Sequence, residues 1–224
     1  MMRKKKVFLT RILHDFALKK LRKKYDIDIH KGQIPIPKTK LAKKIKNIDG
    51  LICFPYDIID RELLNEAKKL KVISTYSVGF DHIDIKEAKK SKIRVGYTPE
   101  VLTDATADLA FSLMIDIMRR VSEGDRIIRK GDWKKIYGAY DYVGTDLQGK
   151  TLGILGLGRI GQTLAKRAKA FEMKIIYNNR KRVSSSIESK LDAKYVTFEK
   201  LIKESDVLSI HVPHTKETDR IING

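Results

Sequence analysis

Three glycines, Gly156, Gly158 and Gly161, stand at the spacing G-x-G-x-x-G in the 224-residue chain. The first glycine permits a tight turn out of a strand. The second leaves room for a pyrophosphate against the backbone, and the third lets the next helix lie close to the strand. A helix starting there presents N–H groups and the positive end of its dipole to phosphates. Some twenty residues on come Asn179, Arg180, Lys181 and Arg182. An NAD site carries Asp or Glu near the Asn179 position, because a carboxylate accepts from the ribose hydroxyls and repels a 2′-phosphate. A neutral amide followed by three cations suits that phosphate instead. The residues therefore point to NADP in preference to NAD, with NAD possible. The competing readings are a glycine turn used for packing alone and solvated loop charges in a lysine-rich chain.

The elements that must position these groups are legible around them. Residues 151–155 form a short apolar run. Ile160, Leu164, Ala168 and Phe171 recur near a 3.6 period, and residues 173–177 form a second apolar run. This is strand, glycine turn, helix, strand, the order a dinucleotide site requires. Further strands are expected at residues 193–196 and 207–212, with a short helix at 198–203. Upstream, residues 4–98 alternate strand patterns (7–10, 26–30, 50–53, 72–76, 93–97) with helical ones, and Asp60 is placed to cap one helix. Repeated βα units imply parallel sheets with helices on both faces. The fold class is therefore α/β, with doubly wound parallel sheets in two domains, residues 1–98 and 99–224. Pro99 marks the hinge between them.

Residues 103–121 read as one long helix, apolar from 109 to 118 except for Ser112 and Asp116. So apolar a helix requires burial under a domain or across a subunit interface. A homodimer is expected through residues 103–130 and the Gly/Tyr-rich arm at 137–144, which could equally be a surface loop.

Composition excludes other classes. Cys53 is the only cysteine, so there is no disulfide framework and no metal-type cysteine pairing. That fits a cytoplasmic protein, and no metal site is expected. No run of about 18 apolar residues appears, so no membrane partner is expected. The net charge of +19 is spread over nearly every helical segment without an aromatic stacking platform. It reads as solvated faces, and no nucleic-acid partner is expected.

Four segments carry a family resemblance: residues 74–85 (STYSVGFDHIDI), 98–113 (TPEVLTDATADLAFSL), 144–182 with its GLGRIG core, and 211–218 (HVPHTKET). In order and spacing they resemble the D-isomer-specific 2-hydroxyacid dehydrogenases, most closely their glyoxylate/hydroxypyruvate reductase branch. The resemblance implies two Rossmann-like domains and NAD(P)H-dependent reduction of a small 2-keto acid to the D-2-hydroxy acid. It implies that backbone N–H groups of Val78 and Gly79 anchor the substrate carboxylate. It places Gly156, Leu157, Gly158, Arg159, Ile160 and Gly161 at the pyrophosphate, and Asn179, Arg180 and Lys181 at the ribose. Thr106 would reach the cofactor from the long helix, and His211, Val212, Pro213 and Thr218 would line its nicotinamide side. The family's catalytic arginine, glutamate and histidine fall after residue 224. None of His14, His30, His82, His211 or His214 lies in that motif, so no catalytic residue is assigned. The chain reads as C-terminally truncated, with a second domain of four strands and a first domain lacking its returning helix, and as inactive alone. Phosphoglycerate or D-lactate dehydrogenase activity is the alternative within the class. A non-catalytic dinucleotide-binding regulatory protein is the alternative outside it.

Overall fold

The computed structural model describes residues 3–133 and 137–223. The chain divides into two units, Met1–Val101 and Leu102–Gly224.

The first unit runs β1 (Lys5–Leu9), α1 (Asp15–Lys24), β2 (Tyr25–Ile29), α2 (Lys38–Ile45), β3 (Gly50–Cys53), α3 (Arg61–Glu66), β4 (Val72–Thr75), α4 (Ile85–Lys90) and β5 (Arg94–Gly96). The strands pair in parallel in the order β2-β1-β3-β4-β5. Phe8, Leu51 and Ile73 on neighbouring strands are buried together with Leu41, Ile45, Leu63 and Leu64 from the helices. Asp60 caps α3 by accepting from the Leu63 N–H, and Asp84 caps α4 by accepting from the Glu87 N–H. Each cap satisfies a donor that helix geometry leaves without an intrahelical partner.

The second unit opens with α5 (Thr103–Arg119) and α6 (Val121–Arg129). It continues as β6 (Thr151–Leu155), α7 (Arg159–Ala170), β7 (Lys174–Asn178), α8 (Ser185–Leu191), β8 (Ala193–Tyr195), α9 (Phe198–Glu204) and β9 (Val207–Ile210). Its four parallel strands lie in the order β8-β7-β6-β9. Leu152, Ile154, Leu164, Ala165, Ala168 and Tyr177 form its centre. Ala107, Met114 and Met118 bring α5 onto the same core. Arg167 Nε donates to Asp108 across 2.6 Å and so ties α7 to α5.

Several elements depart from the sequence reading. The long helix stops at Arg119, because Arg120 adopts a left-handed backbone with φ of 56°. Only one face of α5 is buried, while Leu109, Leu113 and Ile117 remain 60%, 53% and 73% exposed. Helix α8 carries too weak an apolar period to be read in advance. The last strand ends at Ile210 rather than residue 212 and is half-buried, since β9 forms one edge of its sheet. Within the Gly/Tyr-rich segment, Tyr140 is exposed, while the Tyr142 hydroxyl donates to the Arg120 carbonyl.

Leu164 is 1% exposed at the centre of the second core. Leu164→Ala should lower unfolding free energy by roughly 2–5 kcal/mol in urea titration. A loss below about 0.5 kcal/mol, the range of surface changes, would show that α7 does not depend on this contact.

Candidate functional site

The glycine turn is held from several directions. Gly156 leaves β6 with φ of 102°, a conformation side-chain-bearing residues rarely adopt. A Cβ there would stand 2.8 Å from the carbonyl carbon and oxygen of His211, just beyond β9. The Gly156 N–H donates to the Asn178 carbonyl at the end of β7, and the His211 N–H donates to the Leu155 carbonyl. A Cβ on Gly161 would meet the Gly156 carbonyl oxygen at 2.5 Å, so the first turn of α7 presses directly on the glycine turn. Gly158 is different: its Cβ would meet nothing within 4 Å. The space beside it is open, as a site for an approaching phosphate must be.

Gly158 is the N-cap of α7, and no side chain caps the helix. The helical ladder starts with the Gln162 N–H donating to the Gly158 carbonyl. The N–H groups of Ile160 and Gly161 therefore have no intrahelical acceptor. Together with the dipole of a 12-residue helix they make an anion-binding end. Arg159 is exposed at the same end. Leu157 contributes differently: its side chain is buried in the core, and its N–H donates to Asn179 Oδ1 at 2.6 Å. What Leu157 supplies is the path of the turn.

The distal end revises the charge reading. Asn179 Oδ1 is engaged with the turn, which links the end of β7 to the glycines. Arg182 is committed elsewhere, donating to both carboxylate oxygens of Glu188 at 2.9 and 2.8 Å. Glu188 also accepts from the Tyr177 hydroxyl at 2.7 Å. The bonds from Arg182 and then Tyr177 hold the Glu188 carboxyl down at about 2. Burial, then the bond to Glu188, pushes the Tyr177 hydroxyl up to about 12. Arg180 and Lys181 are exposed. The Glu217 carboxyl is lowered by the bonds it accepts from Thr215 and its own backbone, and then by Arg180, which lies near enough to help.

Across the turn, His211 is half-buried, with Nε2 2.8 Å from the Ser209 hydroxyl. Burial lowers its pKa below the usual imidazole range. Pro213 and Thr218 are brought together, since the Thr218 hydroxyl donates to the Pro213 carbonyl at 2.6 Å. Val212 lies between, its N–H 3.0 Å from a Cβ built on Gly156. Thr106 sits half-buried in the first turn of α5. Among the described residues no side-chain hydrogen bond links it to the glycine turn. His214 pairs with Asp219 at 3.0 Å on an exposed turn.

The first unit contains a second anion-type turn after β4. The Ser77 carbonyl accepts from the Thr98 N–H at 2.9 Å and from the Thr98 hydroxyl at 3.0 Å. The Gly79 carbonyl accepts from the Ser77 hydroxyl. Among the described residues, the Val78 and Gly79 N–H groups meet no acceptor. Two adjacent donors are thus free in a turn whose flanking carbonyls are held, the pattern of a backbone carboxylate site. Ser77 and Thr98 were not singled out by the sequence. Ser77 stands beside the Val78–Gly79 pair, but Thr98 joins it only through the parallel pairing of β4 and β5.

Two outcomes follow. Gly156→Ala should weaken nucleotide binding by roughly tenfold or more, about 1.4 kcal/mol, measured by calorimetry; unchanged affinity would show that the turn tolerates a side chain. Glu188 has a carboxyl depressed from about 4.3 in unfolded chains to about 2 in the folded protein. Its contribution is therefore full above about pH 4.5 and lost as pH falls towards 2. Glu188→Gln should lower Tm at pH 7, with the gap narrowing by about pH 3. A gap independent of pH would mean that the carboxylate charge contributes nothing.

The chain is similar to known proteins of one family. The family model for the D-isomer specific 2-hydroxyacid dehydrogenase NAD binding domain matches residues 111–224. A glyoxylate reductase of Thermococcus litoralis is 49% identical over 222 residues, covering 98% of this chain and 67% of that protein. A glyoxylate reductase of Pyrococcus horikoshii is 44% identical over 98% of this chain and 66% of that protein. The crystal structure of the TT0316 protein from Thermus thermophilus superposes with a TM-score of 0.86 at 44% identity, covering 96% of this chain and 67% of that one. The chain thus spans about two thirds of the length of these relatives. With the glycine turn, the parallel sheets and these similarities in agreement, the chain belongs to the D-isomer-specific 2-hydroxyacid dehydrogenase family, in its glyoxylate reductase branch.

Proposed function

We propose that the protein reduces a glyoxylate-type 2-keto acid to the corresponding 2-hydroxy acid, with NADPH preferred over NADH. The observation that carries this reading is the turn at Val78 and Gly79, where two adjacent backbone donors lie free between tied carbonyls. A small carboxylate fits that pair, and glyoxylate offers little beyond a carboxylate and a reducible carbonyl. The similarity to glyoxylate reductases supports the same substrate class.

The nicotinamide, when bound, supplies the hydride. The chain's own residues hold and orient. Gly156, Gly158 and Gly161 with the start of α7, at Arg159 and Ile160, receive the pyrophosphate, and Leu157 fixes the turn. Asn179 joins the turn to the ribose end, where Arg180 and Lys181 receive a 2′-phosphate. Arg182 is held by Glu188 and acts on the fold of that loop. Thr106 reaches the cofactor from α5, and His211, Val212, Pro213 and Thr218 line its nicotinamide side. No catalytic residue is assigned within residues 1–224. The cation that polarises the keto oxygen and the proton donor are assigned to the part of the family pattern that follows the HVP segment.

We extend the proposal to a cytoplasmic homodimer. Leu109, Leu113 and Ile117 recur every fourth residue on the exposed face of α5, which places them on one stripe. A second copy of this chain would cover it. Among the described residues no helix is long and apolar enough to cross a membrane.

The full-length gene product should reduce glyoxylate faster than pyruvate, with kcat/KM for NADPH about tenfold above that for NADH, a difference of about 1.4 kcal/mol. Equal use of both cofactors would remove the assignment of Arg180 and Lys181. Tight nucleotide binding with no reduction of any keto acid would favour a regulatory protein. In sedimentation, Leu113→Lys with Ile117→Lys should convert a dimer to a monomer; a dimer that survives both changes would place the interface elsewhere.

A further inference from the structure

The Val78–Gly79 turn is backed by a row of side chains whose hydrogen bonds have only one consistent direction. The Ser77 hydroxyl donates to the Gly79 carbonyl, which can only accept. Ser77 Oγ also lies 2.9 Å from Thr75 Oγ1, and Thr75 Oγ1 lies 2.9 Å from His82 Nε2. A hydroxyl carries one proton. The Ser77 proton is committed to Gly79, so Thr75 must donate to Ser77. The Thr75 proton is then committed as well, so His82 Nε2 must donate to Thr75.

We propose that His82 is a positioning residue for the substrate carboxylate: a neutral imidazole with its proton on Nε2 that fixes the chain His82 to Thr75 to Ser77 to the Gly79 carbonyl. This rests on the reading of Val78 and Gly79 as the carboxylate anchor. Gly79 is the weak point of such an anchor, because its backbone is the most permissive of any residue. The Ser77 bond to its carbonyl restrains the far side of the turn. On the near side Thr98 holds the Ser77 carbonyl, and in a planar trans peptide this points the Val78 N–H the opposite way. Both sides of the donor pair are then fixed.

The surroundings suit a neutral relay. Thr75 is fully buried, so water cannot replace its partners. His82 is half-buried, and burial lowers its pKa against the opposing pull of Asp81 and Asp57. Cys53 lies in the same buried region, where burial pushes its thiol up to about 12 against an opposing hydrogen bond with Thr75; the thiol therefore stays protonated and, with the Thr75 proton given to Ser77, can only donate to Thr75. A Cβ on Gly79 would stand 2.9 Å from Asp81 Oδ1. The turn is therefore closed against the very segment that carries His82.

The test uses the full-length protein with selectively 15N-labelled histidine. Long-range proton–nitrogen correlation at neutral pH should find the His82 proton on Nε2 and none on Nδ1. His82→Met, which removes the donor at similar length, should raise the glyoxylate KM about tenfold while kcat and the NADPH KM stay within about twofold. His82→Gln places an N–H where Nε2 stood and should recover most of that loss. Ser77→Ala should mimic His82→Met, and the double variant should add little, as expected for one coupled chain. A proton on Nδ1, a charged ring, or an unchanged glyoxylate KM in His82→Met would overturn the proposal. If the wild-type protein reduces no 2-keto acid, the proposed function falls and the substrate role of His82 with it. The tautomer spectrum separates that failure from a failure of the hydrogen-bond chain itself.

Discussion

Where the chain leaves β6, a Cβ on Gly156 would stand 2.8 Å from the carbonyl of His211. That approach is the constraint on which the second unit depends. It requires β9 to lie beside β6, which their parallel pairing from Leu152↔Val207 to Leu155↔Ile210 provides. It requires a residue without a side chain at φ of 102°. It also sets where α7 begins, because Gly161 packs on the Gly156 carbonyl. One crowded point thus fixes three things a dinucleotide site needs: the exit angle of the strand, the position of the helix end, and the nearness of the His211–Pro213 segment. Asn179 adds a fourth through its bond to the Leu157 N–H.

The two anion-type sites in the chain share a logic despite lying in different units. Neither places a charged side chain at its centre. Each offers backbone N–H groups whose neighbouring acceptors are already occupied. In the glycine turn the helix ladder and the Asn178 carbonyl settle the surrounding groups. In the Val78–Gly79 turn Thr98 and Ser77 do so. Backbone donors are fixed by the fold, so orienting them on binding needs little further ordering. A lysine on a flexible stem would have to be immobilised first. This explains how a chain of net charge +19 can keep most of its cations at the surface. Many are paired there with carboxylates, as Lys38 is with Asp60 and Glu62. Such exposed pairs contribute little to stability, because water and salt screen them.

Much of this was legible in the sequence, and the limits have physical reasons. Apolar runs and 3.6-residue periods located the βα units because each strand must bury its side chains and each helix one face. The glycine spacing located the cofactor turn because the restriction is local. The end of α5 was not legible. No glycine or proline marks it; Arg120 is left-handed because Tyr142 binds its carbonyl and lies 4.4 Å beneath its guanidinium, while Glu123 holds the guanidinium itself. The commitment of Arg182 was hidden for the same kind of reason. Its partner Glu188 lies in α8, whose short apolar pattern gave no warning that it would fold back. In both cases the deciding contact is made by tertiary structure and carries no local signature.

The Thr75–Ser77–His82 row stands between these extremes. All three residues lie close together in the chain, so the sequence contains the parts in plain sight. What it lacks is direction. Hydroxyls donate or accept with equal ease, and an imidazole can carry its proton on either nitrogen. Direction enters only where a carbonyl, unable to donate, terminates the row at Gly79. From that one group the proton on every earlier member is determined, back to Nε2 of His82. A backbone acceptor in a turn thereby selects the tautomer of a histidine two hydroxyls away. The same selection works in reverse: an imidazole held in that tautomer keeps the carbonyl, and the flexible glycine that bears it, in place.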